Sequence, residues 1–123
     1  MTKMSSAFDF RRSVSYDDAA KRVFHRRAQR QLKQLAVMLG LTPDAYDLRS
    51  NQGGIAVSGE ITLHADRLYV QACQPATGHD TGILFRTCQG RKDYHGGPNN
   101  FASLHLLNRP EELARRIKEV CHV

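Results

Sequence analysis

Four cations recur along the first third of the chain: Arg22, Arg26, Arg30 and Lys33. Steps of four, four and three residues share one face of an α-helix. The pattern therefore displays a row of positive charge ~15 Å long. A row of this kind neutralises several phosphates of one nucleic-acid backbone at once. It serves equally as a solvated helix face, or as a docking surface for an acidic protein.

A second concentration of chemistry lies at Gly90-Arg91-Lys92-Asp93-Tyr94-His95-Gly96-Gly97-Pro98-Asn99-Asn100. Glycines allow positive φ and close backbone approach. Arg91 and Lys92 are suited to phosphate, and Tyr94 and His95 to stacking on a base. The segment is no P-loop, because the Gly-x-x-x-x-Gly-Lys-Ser/Thr spacing is missing. Its structural reading is a loop in which Tyr94 packs on the core and the glycines make turns.

Metal and catalytic chemistry find less support. His64, His79, His95, His105 and His122 are scattered among Cys73, Cys88 and Cys121, with no Cys-x-x-Cys, His-x-x-x-His or His-Glu-x-x-His. Structural and catalytic zinc sites need such spacings when built locally. Cys88 with His95, or His79 beside Asp80, has the residue types of a nucleophile and base, but only geometry makes such a pair. No cofactor is expected.

The elements that must position these residues follow from periodicity. Tyr16, Ala20, Val23, Phe24, Ala28, Leu32, Leu35, Ala36 and Leu39 form one apolar stripe at steps of three and four, so a helix is predicted over 16–39. Ser15 is its expected N-cap, with Asp17 and Asp18 at the positive end of the dipole. Gly40 is the expected stop. Arg27 and Gln31 fall at the edge of the apolar side, where long side chains snorkel. Strands are predicted over 46–50, 55–64, 68–74 and 83–88, joined by short turns that favour an antiparallel meander. Phe101–Leu107 is ambiguous between a short strand and a helical turn. Asn108 is the expected cap of a last helix, with Pro110, Glu111 and Glu112 in its first turn and Leu113, Ile117 and Val120 on its apolar face. The expected architecture is α+β: a long N-terminal helix, a four-stranded antiparallel meander and a C-terminal helix in a two-layer sandwich. Residues 1–14 read as a flexible N-terminal segment and 15–123 as a single domain.

At 123 residues with 41% hydrophobic content, the chain suits one globular domain. No apolar run approaches the ~20 residues of a membrane span. Residues 1–12 lack the apolar core of a signal peptide. Three well-separated cysteines make no disulfide framework, so the expected location is the cytoplasm. The net charge of +6 is unevenly placed. Residues 1–40 hold nine basic side chains against three acidic ones, while the other nine of each sign cancel over 41–123. Such asymmetry speaks of an anionic partner rather than of fold.

Tyr46-Asp47-Leu48-Arg49-Ser50-Asn51, Gly53-Gly54-Ile55-Ala56-Val57-Ser58-Gly59-Glu60, Arg91-Lys92-Asp93-Tyr94 and Gly96-Gly97-Pro98-Asn99 resemble a group of small uncharacterised proteins. These are carried on plasmids and integrative elements of proteobacteria. The likeness runs from the first helix to about Leu107. It implies a setting of DNA maintenance, transfer or countering of host defence, and transfers no functional residue. The order of four strands followed by a helix is similar to that of PUR-type single-stranded nucleic-acid-binding repeats, a likeness of order alone.

The leading expectation is a non-enzymatic nucleic-acid-binding accessory protein, for DNA or RNA, with low sequence specificity. Arg22, Arg26, Arg30 and Lys33 form one contact and Arg91, Lys92, Tyr94 and His95 the other. The alternative is a modulator or inhibitor binding a host defence or replication protein; a third is a small hydrolase or transferase using Cys88 or His95. A homodimer is also envisaged, because a helix ~36 Å long exceeds what a small sheet needs for cover.

Overall fold

The computed structural model describes residues 8–53, 58–74 and 81–122. Helix α1 spans Asp18–Met38 and buries Phe24, His25, Ala28, Leu32, Leu35 and Ala36 along one stripe. Its cap is Asp17, whose carboxylate accepts from the Ala20 backbone N–H at 3.0 Å, and not Ser15. The helix therefore starts two residues later than its periodicity suggested, and Tyr16 stands outside it. At the other end Leu39 is the C-cap, and Gly40 follows with φ +77, the left-handed stop that glycine takes most readily.

Five strands follow: β1 (Tyr46–Asn51), β2 (Glu60–Ala65), β3 (Leu68–Cys73), β4 (Ile83–Thr87) and β5 (Asn100–Ala102). Each pairs antiparallel with the next, so the sheet is a meander in sequence order. The second strand begins later than expected, and Ile55 and Val57 lie outside the described residues. The ambiguous stretch near Phe101 splits: its start completes β5, and Leu104–Asn108 is a 3-10 turn. Helix α2 spans Pro110–Cys121, with Pro110 at its first turn and Arg109 at the cap position. Asn108 does not cap it; its side-chain amide donates to the Phe8 carbonyl instead.

Strand alternation sorts the sheet into two faces. One carries Leu48, Leu63, Val70 and Phe85 in a cross-strand row, with Ile61, Ala72, Ile83 and Ala102 beside it. α1 packs on β1 and β2, α2 packs on α1 and β4, and together they cover this face. The result is a two-layer α+β domain. The lead-in before α1 is fastened from residue 8 onward, where the sequence suggested a loose segment. Phe10 and Val14 are buried in the core. The Gln74 side chain donates to the carbonyls of Phe10 and Arg12 and accepts from the Val14 N–H. Among the described residues no helix is long and apolar enough to cross a membrane.

Candidate nucleic-acid interface

The helix row lies on the exposed face of α1, as its steps of four, four and three residues suggested. With one face of α1 pressed on the sheet and α2, the residues left in water include Arg22, Arg26, Arg30 and Lys33. None of the four makes an ion pair or side-chain hydrogen bond among the described residues. Their neighbours at the stripe's margin are engaged. The Arg27 guanidinium lies over the Phe8 ring at 5.4 Å, and Gln31 donates to the Leu107 carbonyl at 2.6 Å. Carried on a packed helix, the four cations stand along one exposed face with no acceptor among the described residues.

The loop Gln89–Asn99 lies on the other side of the molecule. It folds over the sheet face opposite α1, where alternation places Asp47, His64, Tyr69 and Arg86 in register across four strands. The two sets of residues singled out in the sequence are thus separated by the sheet, and no flat ligand touches both.

Within the loop, most polar groups meet partners in this same chain. All three guanidinium nitrogens of Arg91 are engaged: Nε with Asp66 at 3.1 Å, Nη1 with Asp47 at 3.3 Å and Nη2 with the Asp44 carbonyl at 2.6 Å. The Asp93 carboxylate accepts from the backbone N–H groups of Gln89, His95 and Gly96, which hold its pKa down to about 2. Tyr94 turns its ring edge-on to His64, with Arg49 stacked 5.6 Å from its centroid. Gly96, at φ +52, sits where a Cβ would strike the Thr87 carbonyl, so the close approach of loop to strand requires glycine there. The side chains of Lys92 and His95 are exposed and carry no hydrogen bond or ion pair among the described residues.

Two residues that sequence reasoning did not assign to this loop anchor it. Arg86 is almost wholly buried, donating to the Tyr94 carbonyl and to Asn99 Oδ1 while stacking 4.2 Å from the Tyr69 ring centroid. Its Nε finds no acceptor among the described residues. His64 is fully buried. Its Nε2 lies 2.9 Å from the Gly90 carbonyl, which can only accept, so Nε2 carries the proton and Nδ1 accepts from Arg49. Burial lowers the His64 pKa, and Arg49 adds to that effect. The signal available in the sequence was parity: His64 and Arg86 alternate with core residues, and so mark the second face of the sheet.

Among the described residues the catalytic and metal candidates are not brought together. The Cys88 thiol is buried, donates to the Ala65 carbonyl at 3.3 Å and is pushed up in pKa by burial, the reverse of an activated nucleophile. His79 and Asp80 lie outside the described residues. Among the described residues no three His, Cys, Asp or Glu side chains converge as a metal centre requires. A groove of about 1040 Å³ at the far end of α1, lined in part by Leu39, Leu41, Leu68, Cys88 and Cys121, offers mainly apolar wall, and burial raises both of its thiols. Comparison with protein-family models, with curated proteins and with solved structures finds no match.

Proposed function

We propose that the protein is a non-enzymatic nucleic-acid-binding accessory protein that holds the phosphate backbone on helix α1 and reads little sequence. The observation that carries this reading is the row Arg22, Arg26, Arg30 and Lys33: exposed, in line, and without a carboxylate partner among the described residues. Phosphate contacts fix position without carrying sequence information. The glycine loop enters this reading as a brace for the sheet, with Lys92 and His95 exposed on it. A role in mobile-element maintenance or transfer suits a binder of this kind.

A salt titration with labelled DNA and RNA tests the reading. Log affinity falls linearly with log salt, by about 0.9 for each phosphate neutralised on a B-form duplex. Replacing all four ridge residues by Glu removes binding. The same variant melts close to the parent, because exposed, unpaired side chains contribute within ~0.5 kcal/mol each. Salt-independent binding, or full affinity in the ridge variant, overturns the assignment.

A further inference from the structure

We propose that Tyr16 is a base-stacking residue at the N-terminal end of the helix row, and that the occupant it selects is single-stranded nucleic acid. The inference rests on the function proposed above. Tyr16 stands fully in water, at 108% relative exposure, and makes no hydrogen bond or ring contact among the described residues. Its backbone has φ +59, in the left-handed region that bulky residues seldom enter. Strain of this kind persists where the surroundings impose it.

Here the surroundings are visible on both sides. Upstream, Gln74 fastens Phe10, Arg12 and Val14 to the end of β3. Downstream, Asp17 returns its N–H to the Val14 carbonyl at 3.2 Å and caps α1. The turn between these fixed points thrusts the phenol outward. An aromatic ring held in water on a strained backbone gives the fold no apolar burial in return. Contact with a ligand supplies that burial.

The neighbouring charges say which part of a ligand comes here. Asp17 and Asp18 follow the ring directly in sequence and disfavour phosphate at that end. Arg22 begins the cation row four residues into the helix, ~6 Å along its axis. An uncharged base on Tyr16, with its phosphates running down the row, satisfies both ends. Stacking requires a free base face, which a single strand offers and the interior of a duplex does not.

The chain contains no tryptophan, so Tyr16→Trp introduces a sole indole at this position. The indole should be quenched by a short oligothymidylate and left unquenched by a duplex whose two ends are closed by non-nucleotide linkers. In a separate anisotropy titration, Tyr16→Gly should weaken single-strand binding roughly fivefold or more. Its salt slope should stay that of the parent, because a stacked base releases no counterion. The melting temperature should not fall, since glycine accepts positive φ without strain. Parent-like affinity in Tyr16→Gly, or an unquenched indole alongside ridge-dependent binding, overturns the role of Tyr16 and leaves the helix interface standing. Equal quenching by the closed duplex overturns the single-strand selection. Failure of the unaltered protein to bind either probe removes the proposed function, and this inference with it.

Discussion

The helix row and the glycine-rich loop hold the same kinds of side chain, yet the fold treats them in opposite ways. Arg22, Arg26, Arg30 and Lys33 are held by a buried stripe beneath them and meet no acceptor among the described residues. Arg91 has each of its nitrogens taken by Asp66, Asp47 or Asp44, and Arg86 is sealed under the loop by Tyr94 and Asn99. A cation free of intramolecular acceptors can exchange water for phosphate, whereas one already bonded must first break what it has. Composition makes both regions candidates for phosphate; an account of acceptors leaves the helix as the stronger candidate of the two.

That contrast predicts two variants with inverse behaviour. Charge reversal on the row has the largest effect on binding and little on stability. Leu in place of Arg86 does the reverse. It deletes two charge-assisted hydrogen bonds and the stack on Tyr69, and leaves the Tyr94 carbonyl and the Asn99 side chain without their donor. The expected loss is ~2–3 kcal/mol in chemical denaturation, with nucleic-acid affinity unchanged at temperatures where the variant is folded. Should Arg86→Leu abolish binding as completely as the ridge reversal, the loop would belong to the interface and the contrast would be lost.

Acid probes the loop side through His64. The groups that face it are Arg49 and Asp47 on β1, Tyr69 on β3, and Tyr94, Asp93 and the Gly90 carbonyl in the loop. Its folded pKa lies below the ordinary 6.5, as does that of His25, which is buried between the Ser50 hydroxyl and the Ser58 carbonyl. The unfolded chain therefore takes up these protons first. Stability is complete above 6.5 and declines as pH falls through the lowered folded values. Protonation at Nδ1 also sets a donor of His64 against the Arg49 donor. Thermal melts across mild acid should show this fall, and His64→Gln should make it shallower. A flat profile would mean that the imidazole does not clamp the loop.

How far the sequence reached follows from the distance between partners. Helix α1 was readable because its apolar stripe repeats locally over many turns. Its first residue was not, because Ser15 and Asp17 are both good caps, and the choice depends on a Val14–Gln74 hydrogen bond that spans 60 residues. β5 was left open between strand and helical turn because Asn100–Ala102 is too short to show an alternation. The loop residues were found by type, but their occupation was hidden: the Arg91–Asp44 and Arg91–Asp66 contacts join positions 47 and 25 residues apart. Exposure of Tyr16 was missed for the converse reason, since its spacing fits the stripe while its backbone has already left the helix.

The smallest expected effect, and the finest test of the contrast, is at Asp93. Its carboxylate gathers three backbone N–H groups, and its folded pKa of about 2 lies below the ordinary 3.8. The order it lends the loop is thus complete above 3.8 and is lost as pH falls toward about 2. Asn in its place keeps one acceptor oxygen and sets an amide donor against one of the three N–H groups. Amide exchange at Gln89, His95 and Gly96 should quicken at neutral pH, while the global melting temperature and the affinity for nucleic acid barely move. Slow exchange in Asp93→Asn would show that Arg86 and His64 hold the loop without it. A parallel fall in affinity would tie loop order to binding, and the two faces of the sheet would then act as one surface.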